Sequence, residues 1–175
     1  PYLGPIHMTG GKEGGLTPEN IQSKGISVYT NTRSSDPVEA ASTVCRVTNA
    51  VQQLAPDVVY KKIDSCLRGN LGSELDAMLS ILHAPVSFIA PALPEQGRTT
   101  VNDCHLINGV PVSETEIGRD PLCPVKEPRL SILLANQSQL SVGHIHLQYL
   151  EKSPDILFSQ VEKQLAKGCR HIVFD

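Results

Sequence analysis

A chain of 175 residues with 40% apolar side chains can bury one substantial α/β core but hardly two full domains. Its 15 basic and 18 acidic residues are interspersed around a formal charge of -3, and it has four Tyr, three Phe and no Trp, which excludes a basic nucleic-acid stripe, a stacking platform or an acidic tail. Five scattered cysteines without a C-x-x-C, and no apolar run near the roughly 20 residues of a membrane span, signal neither a disulfide framework nor a zinc site nor a membrane segment.

The opening PYLGPIHMTGGKEGG has neither the apolar nor the basic region of a secretory signal, so a cytoplasmic location is expected. Residues 1–25 are rich in Gly and polar side chains and read as an irregular lead-in carrying no chemistry; residues 26–175 read as one α/β domain. A short strand is expected at 26–30. Asp36 then caps a helix with Pro37 in its first position and Glu39 completing a capping box. That helix runs to about residue 54, with Val38, Ala41, Val44, Cys45, Val51 and Leu54 on one face.

DVVYKKID (57–64) reads as the next strand, and the helix after it carries a stripe of Leu71, Leu75, Met78, Leu79 and Leu82. VSFIAPA is an apolar run that fits a parallel strand covered on both faces. Asn108-Gly109 between two apolar runs is the signal of a tight hairpin. Pro128 opens a further helix, and 142–150 alternates like a strand. SPDILFSQVEKQLAKG is a helix with an Ile156/Leu157/Val161/Leu165 stripe that stops at Gly168, and RHIVFD is a closing strand. The alternation predicts an open, mostly parallel sheet with helices on both faces and a small β-hairpin excursion, binding its ligand beyond the C-terminal ends of strands.

Three strand ends carry polar clusters: TNTRSSD, DSCLRGN and PALPEQGRTT. In the second, the positive N-terminus of a helix beginning near Asn70 favours an anion, Arg68 offers a planar fork for a carboxylate, and Asp64 and Ser65 suit hydroxyls. A small polyol acid would satisfy all of these, although capping of the turn and a plain ion pair would also account for them. Glu95, Gln96, Arg98, Thr99 and Thr100 line a loop that is either a solvated connection or a site wall, and Arg33 poses the same choice. His144 and His146 share a strand face, but no acid or cysteine nearby in sequence completes a metal set, so no metal site is assigned. Cys66 has no His base beside it and reads as a packing residue, and GGKEGG lacks the Gly and Ser/Thr of a phosphate loop.

The blocks KKIDSCLRGNLGSEL, FIAPALPEQGRTTVNDCHLINGVPVSETEIGRDPLCPV and GCRHIVFD together resemble the N-terminal domain of the four-carbon acid sugar kinases, which include D-threonate, erythronate and 3-oxo-tetronate kinases. The resemblance spans about residues 28–175. It implies ATP-dependent phosphorylation of the terminal hydroxyl of a four-carbon sugar acid, with ATP and Mg²⁺ held by a separate C-terminal domain. Asp64, Ser65, Arg68, Gly69 and Asn70 would then lie in the sugar-acid site, with Glu95 and Arg98 as another wall and Arg33 at the end of an earlier strand. The family's D-D-x-T-G block has no match in residues 1–25 and its nucleotide domain does not follow, so this is expected to be an internal piece of a longer kinase, inactive alone. No residue is assigned as the catalytic base, and a homo-oligomer is left open. A non-catalytic binder of sugar acids or anions and a purely structural α/β domain are the competing readings.

Overall fold

The computed structural model describes residues 6–10 and 25–175. Strand β1 (Ile6–Gly10) pairs in parallel with β2 (Gly25–Tyr29). Thus one regular element and the first residue of another stand within the stretch expected to be irregular; residues 1–5 and 11–24 lie outside the described residues. Helix α1 (Pro37–Gln52) begins where its signals predict: the Asp36 carboxylate accepts the Val38 N–H at 2.9 Å and Pro37 opens the first turn. Asp36→Ala should cost about 1 kcal/mol, read as a lowered urea midpoint in the full-length protein.

Residues 57–64 depart from expectation, because they form no strand ladder. Val58 and Tyr60 are each 81% exposed, so the apolar character that suggested a strand faces solvent rather than a sheet. Helix α2 (Leu71–Leu82) follows and buries Leu71, Leu75 and Leu79 as its stripe requires.

A parallel sheet in the order β3-β8-β7 forms the centre, with β3 (Ser87–Ile89), β7 (Val142–Ile145) and β8 (His171–Phe174). Adjacent residues of β8 feed opposite faces. Val173 joins Leu71 and Leu75 of α2 and Leu133 and Leu134 of α3 (Leu130–Gln137), whereas Ile172 joins Ile145 and the Leu157/Val161 side of α5 (Pro154–Ala166). Helices therefore cover both faces, as predicted. His171, wholly buried, ties three elements by contacts to Ser87 (2.6 Å) and Asp76 of α2 (2.7 Å).

Two expectations about these elements need correction. Phe88 is 59% exposed because β3 is an edge of the described sheet, not a strand covered on both sides. The strand predicted over 142–150 stops at Ile145, and Leu147–Leu150 turns into the short helix α4.

The hairpin excursion is larger than Asn108-Gly109 alone suggested. Strands β4 (Arg98–Val101), β5 (Cys104–Ile107) and β6 (Val110–Pro111) form an antiparallel sheet. A second tight turn, at Asn102 and Asp103 with φ of 50° and 71°, joins β4 to β5. The polar loop expected over PALPEQGRTT (91–100) is thus partly strand, since 98–100 belong to β4. Among the described residues no helix is long and apolar enough to cross a membrane.

Candidate acid-sugar site

The loop between residue 64 and α2 folds around one carboxylate. Asp64 Oδ2 accepts the backbone N–H of Arg68 (3.2 Å) and its Nε–H (2.7 Å), and Asp64 Oδ1 lies 3.7 Å from Arg33 Nη2. Arg68 Nη1 reaches onward to Asp120 Oδ2 at 3.3 Å. Asp120 in turn accepts the N–H groups of Leu122 and Cys123, fixing its position. Burial alone would raise the pKa of Asp64; the hydrogen bonds and charge of Arg68, helped by Arg33, outweigh it and hold the carboxyl below its ordinary value. Arg68 is raised by the same partner and stays charged.

Two backbone features make this geometry possible. Leu67, at φ 64°, drives its side chain into the core, where it is 1% exposed. Gly69, at φ 95°, lies so close to Arg33 that a Cβ there would come within 3.1–3.2 Å of its Cγ, Cα and carbonyl oxygen. The loop after β2 and the loop before α2 are then clamped by Asn70, whose Nδ2 donates to the carbonyls of Thr32 (3.0 Å) and Ser35 (2.8 Å).

Some expected roles change accordingly. The start of α2 is not an open anion cradle, because Gln137 Oε1 accepts the Gly72 N–H at 3.0 Å while Gln137 Nε2 donates to the Gly69 carbonyl. Arg68 spends Nε and Nη1 on acids, whereas the Arg33 side chain is 55% exposed. A cleft of about 310 Å³ opens beside this arrangement, lined by Arg33, Gly69, Asn70, Lys126, Asn136 and Gln137. Asp64, Ser65 and Arg68 are not part of that lining but adjoin it, through the Arg33–Asp64 contact and through Leu67 and Gly69, which flank Arg68 and do line it. Cys66 is buried, in keeping with a packing role.

Glu95 is exposed on a 3-10 turn and does not line the cleft. Arg98 donates from Nη1 to the carbonyl and side-chain oxygens of Gln96, and its buried Nε has no partner. What joins β4 to the Asp64 loop is His105, a residue the sequence did not single out. Its Nε2–H donates to the Ser65 carbonyl at 2.8 Å and its Nδ1 accepts from Thr100 at 3.0 Å. Burial lowers its pKa, so the neutral ring with this tautomer persists. Glu74 was also missed: buried in the first turn of α2, it accepts from Thr32 (2.6 Å) and pairs with Lys61. An acid in the first turn of a helix is an ordinary sequence feature, which is why only its partners reveal it.

The comparisons agree with this architecture. A family described as a sugar-binding N-terminal domain matches residues 13–175. A D-erythronate kinase of Heliobacterium modesticaldum is 35% identical over 86% of this chain and 34% of its own length. A D-threonate kinase of Salmonella typhimurium is 38% identical over 70% of this chain and 29% of its own. A solved structure from Haemophilus influenzae superposes with a TM-score of 0.87 at 24% identity, over 97% of this chain and 42% of that one. The chain thus spans about a third of the length of these curated relatives. With the family match running across nearly all of it, the chain belongs to the sugar-binding N-terminal domain family.

Proposed function

We propose that this chain is the acceptor-binding part of an ATP-dependent kinase that phosphorylates the terminal hydroxyl of a four-carbon sugar acid in the cytoplasm. The observation that carries the reading is the pair of guanidinium groups, Arg33 and Arg68, leaning on the single carboxylate of Asp64 beside a polar cleft. The kinase names of its relatives supply the substrate class.

In this reading the substrate carboxylate is held between Arg33 and the remaining Nη2 of Arg68, a charge-assisted contact that fixes one end of a short molecule. Asp64, Ser65 and the Asn70 loop orient its hydroxyls, while Glu95 and Arg98, outside the cleft lining, make no contact with it. Fixing the acceptor hydroxyl is the main contribution a binding domain can make, since phosphoryl transfer rests chiefly on positioning and charge stabilisation. Mg²⁺ takes oxygen ligands, while the described residues that gather as potential metal ligands are two imidazoles and one carboxylate, a poor match. In this reading no step of this domain runs through nucleotide or Mg²⁺.

Arg33→Ala is the cleaner test, because this side chain is exposed and its removal leaves the Arg68–Asp64 pair intact. In the full-length protein it should raise KM for D-erythronate or D-threonate about 10- to 100-fold, the worth of one charged hydrogen bond. An unchanged KM would remove Arg33 from the site.

A further inference from the structure

The C-terminal ends of β7 and β8 bring together side chains that the sequence keeps far apart. His144 lies in β7 and His146 just beyond it, while Asp175 follows β8; the strands are parallel neighbours in the register Ile145↔Phe174. The two imidazole rings meet edge to face with centroids 4.3 Å apart. One potential ligand atom from each of His144, His146 and Asp175 lies within 4.8 Å of the others. The acid missing from the neighbourhood of the two histidines in sequence is therefore supplied by the fold.

The carboxylate is held by its surroundings. The Asp175 side chain is 1% exposed, and it accepts the N–H groups of Asp103 (2.8 Å), Leu147 (2.9 Å) and Asn102 (3.0 Å). The Asn102-Asp103 turn and the start of α4 thus act as fixed supports, the outer-shell arrangement that orients a metal-bound carboxylate. His144 Nε2 is 2.7 Å from Asp175 Oδ1, and His144 is largely buried, whereas His146 is exposed and leaves a route for an ion and its water.

We infer that His144, His146 and Asp175 form a binding site for a divalent late first-row transition metal, of which Zn²⁺ is the natural occupant. Two imidazole nitrogens and one carboxylate oxygen are a donor set for such ions, with solvent completing the coordination. The metal takes the place of the hydrogen bond between His144 Nε2 and Asp175 Oδ1: the neutral ring ligates through Nε2 and carries its single proton on Nδ1. Bonds of about 2.0–2.2 Å to each atom require the pair to separate by roughly half an ångström, a small rotation of an imidazole. The bound ion would clamp the β4–β5 turn to the central sheet through Asp175, apart from the Arg33 cleft and independently of the kinase reading.

The test uses the full-length protein without an affinity tag, treated with chelator and titrated with Co²⁺, whose visible absorption reports nitrogen and oxygen coordination, followed by displacement with Zn²⁺. One saturating equivalent is expected, with the spectrum lost and affinity reduced at least about tenfold in His146→Ala. His146 is exposed, so this variant should keep its fold, checked by circular dichroism; His83→Ala, at the end of α2, should bind as the parent does. Absence of saturable binding, or equal binding by His146→Ala and the parent, would overturn the site and leave the His144–Asp175 contact as a tether alone.

Discussion

Asp64→Ala in the full-length protein should lower the unfolding free energy by about 2–4 kcal/mol and abolish measurable sugar-acid binding. Removing one partner of a buried ion pair typically costs about 3–5 kcal/mol, because the remaining charge is left uncompensated. The expected loss is about 1 kcal/mol smaller than that range, since the Arg68 side chain is 24% exposed and retains Asp120. The loss should also depend on pH in a defined direction. Asp64 has a folded pKa below its unfolded value, so its contribution is fully present above about pH 4 and disappears as pH falls through the folded pKa. Urea titrations at neutral and acid pH would show the parent and Asp64→Ala far apart at neutral pH and converging in acid. Parallel curves across that range would show that the Asp64 pair contributes nothing through its charge.

Leu67→Ala should destabilise by a similar amount, about 2–4 kcal/mol, by emptying a fully buried position between the two charged ends of the loop. Leu67 packs in the cluster that holds Leu71, Leu75, Leu130 and Leu134, so it pins the binding loop from inside. Its left-handed backbone gives the prediction a second edge. At φ 64° alanine keeps the strain that leucine carries, while glycine releases it. Leu67→Gly should therefore be no less stable than Leu67→Ala, whereas at an ordinary helical position glycine is worse than alanine by about 1 kcal/mol. A glycine variant clearly weaker than the alanine variant would show that the backbone is not strained at this residue. Both variants should loosen sugar-acid binding, because the spacing of Asp64 and Arg68 depends on this turn.

Local chemistry made much of this legible in the sequence. Asp36 and Pro37 announce α1, the leucine spacing announces α2, and Asn108-Gly109 announces the β5–β6 hairpin, each through contacts within a few residues. The DSCLRGN cluster stood out in the sequence, but the pairing of Asp64 with Arg68 inside it was not among the expected contacts. What escaped depends on long separations. Ser65 and His105 are 40 residues apart, Thr32 and Glu74 are 42, and Arg68 and Asp120 are 52, and no periodicity links such pairs. Residues 57–64 show the opposite failure, since apolar content reads as a strand wherever it occurs but a ladder needs a neighbour. The His144–Asp175 contact spans 31 residues and is hidden from sequence in the same way as those long pairs.

The most direct measurement is a crystal structure of the full-length protein with D-erythronate or D-threonate bound. The carboxylate should lie within hydrogen-bond distance of Arg33 and Arg68, with at least one hydroxyl on Asp64 or Ser65 and the terminal hydroxyl directed away from this loop. A sugar acid bound with its carboxylate elsewhere, and Arg33 making no contact to it, would contradict the acceptor site described here.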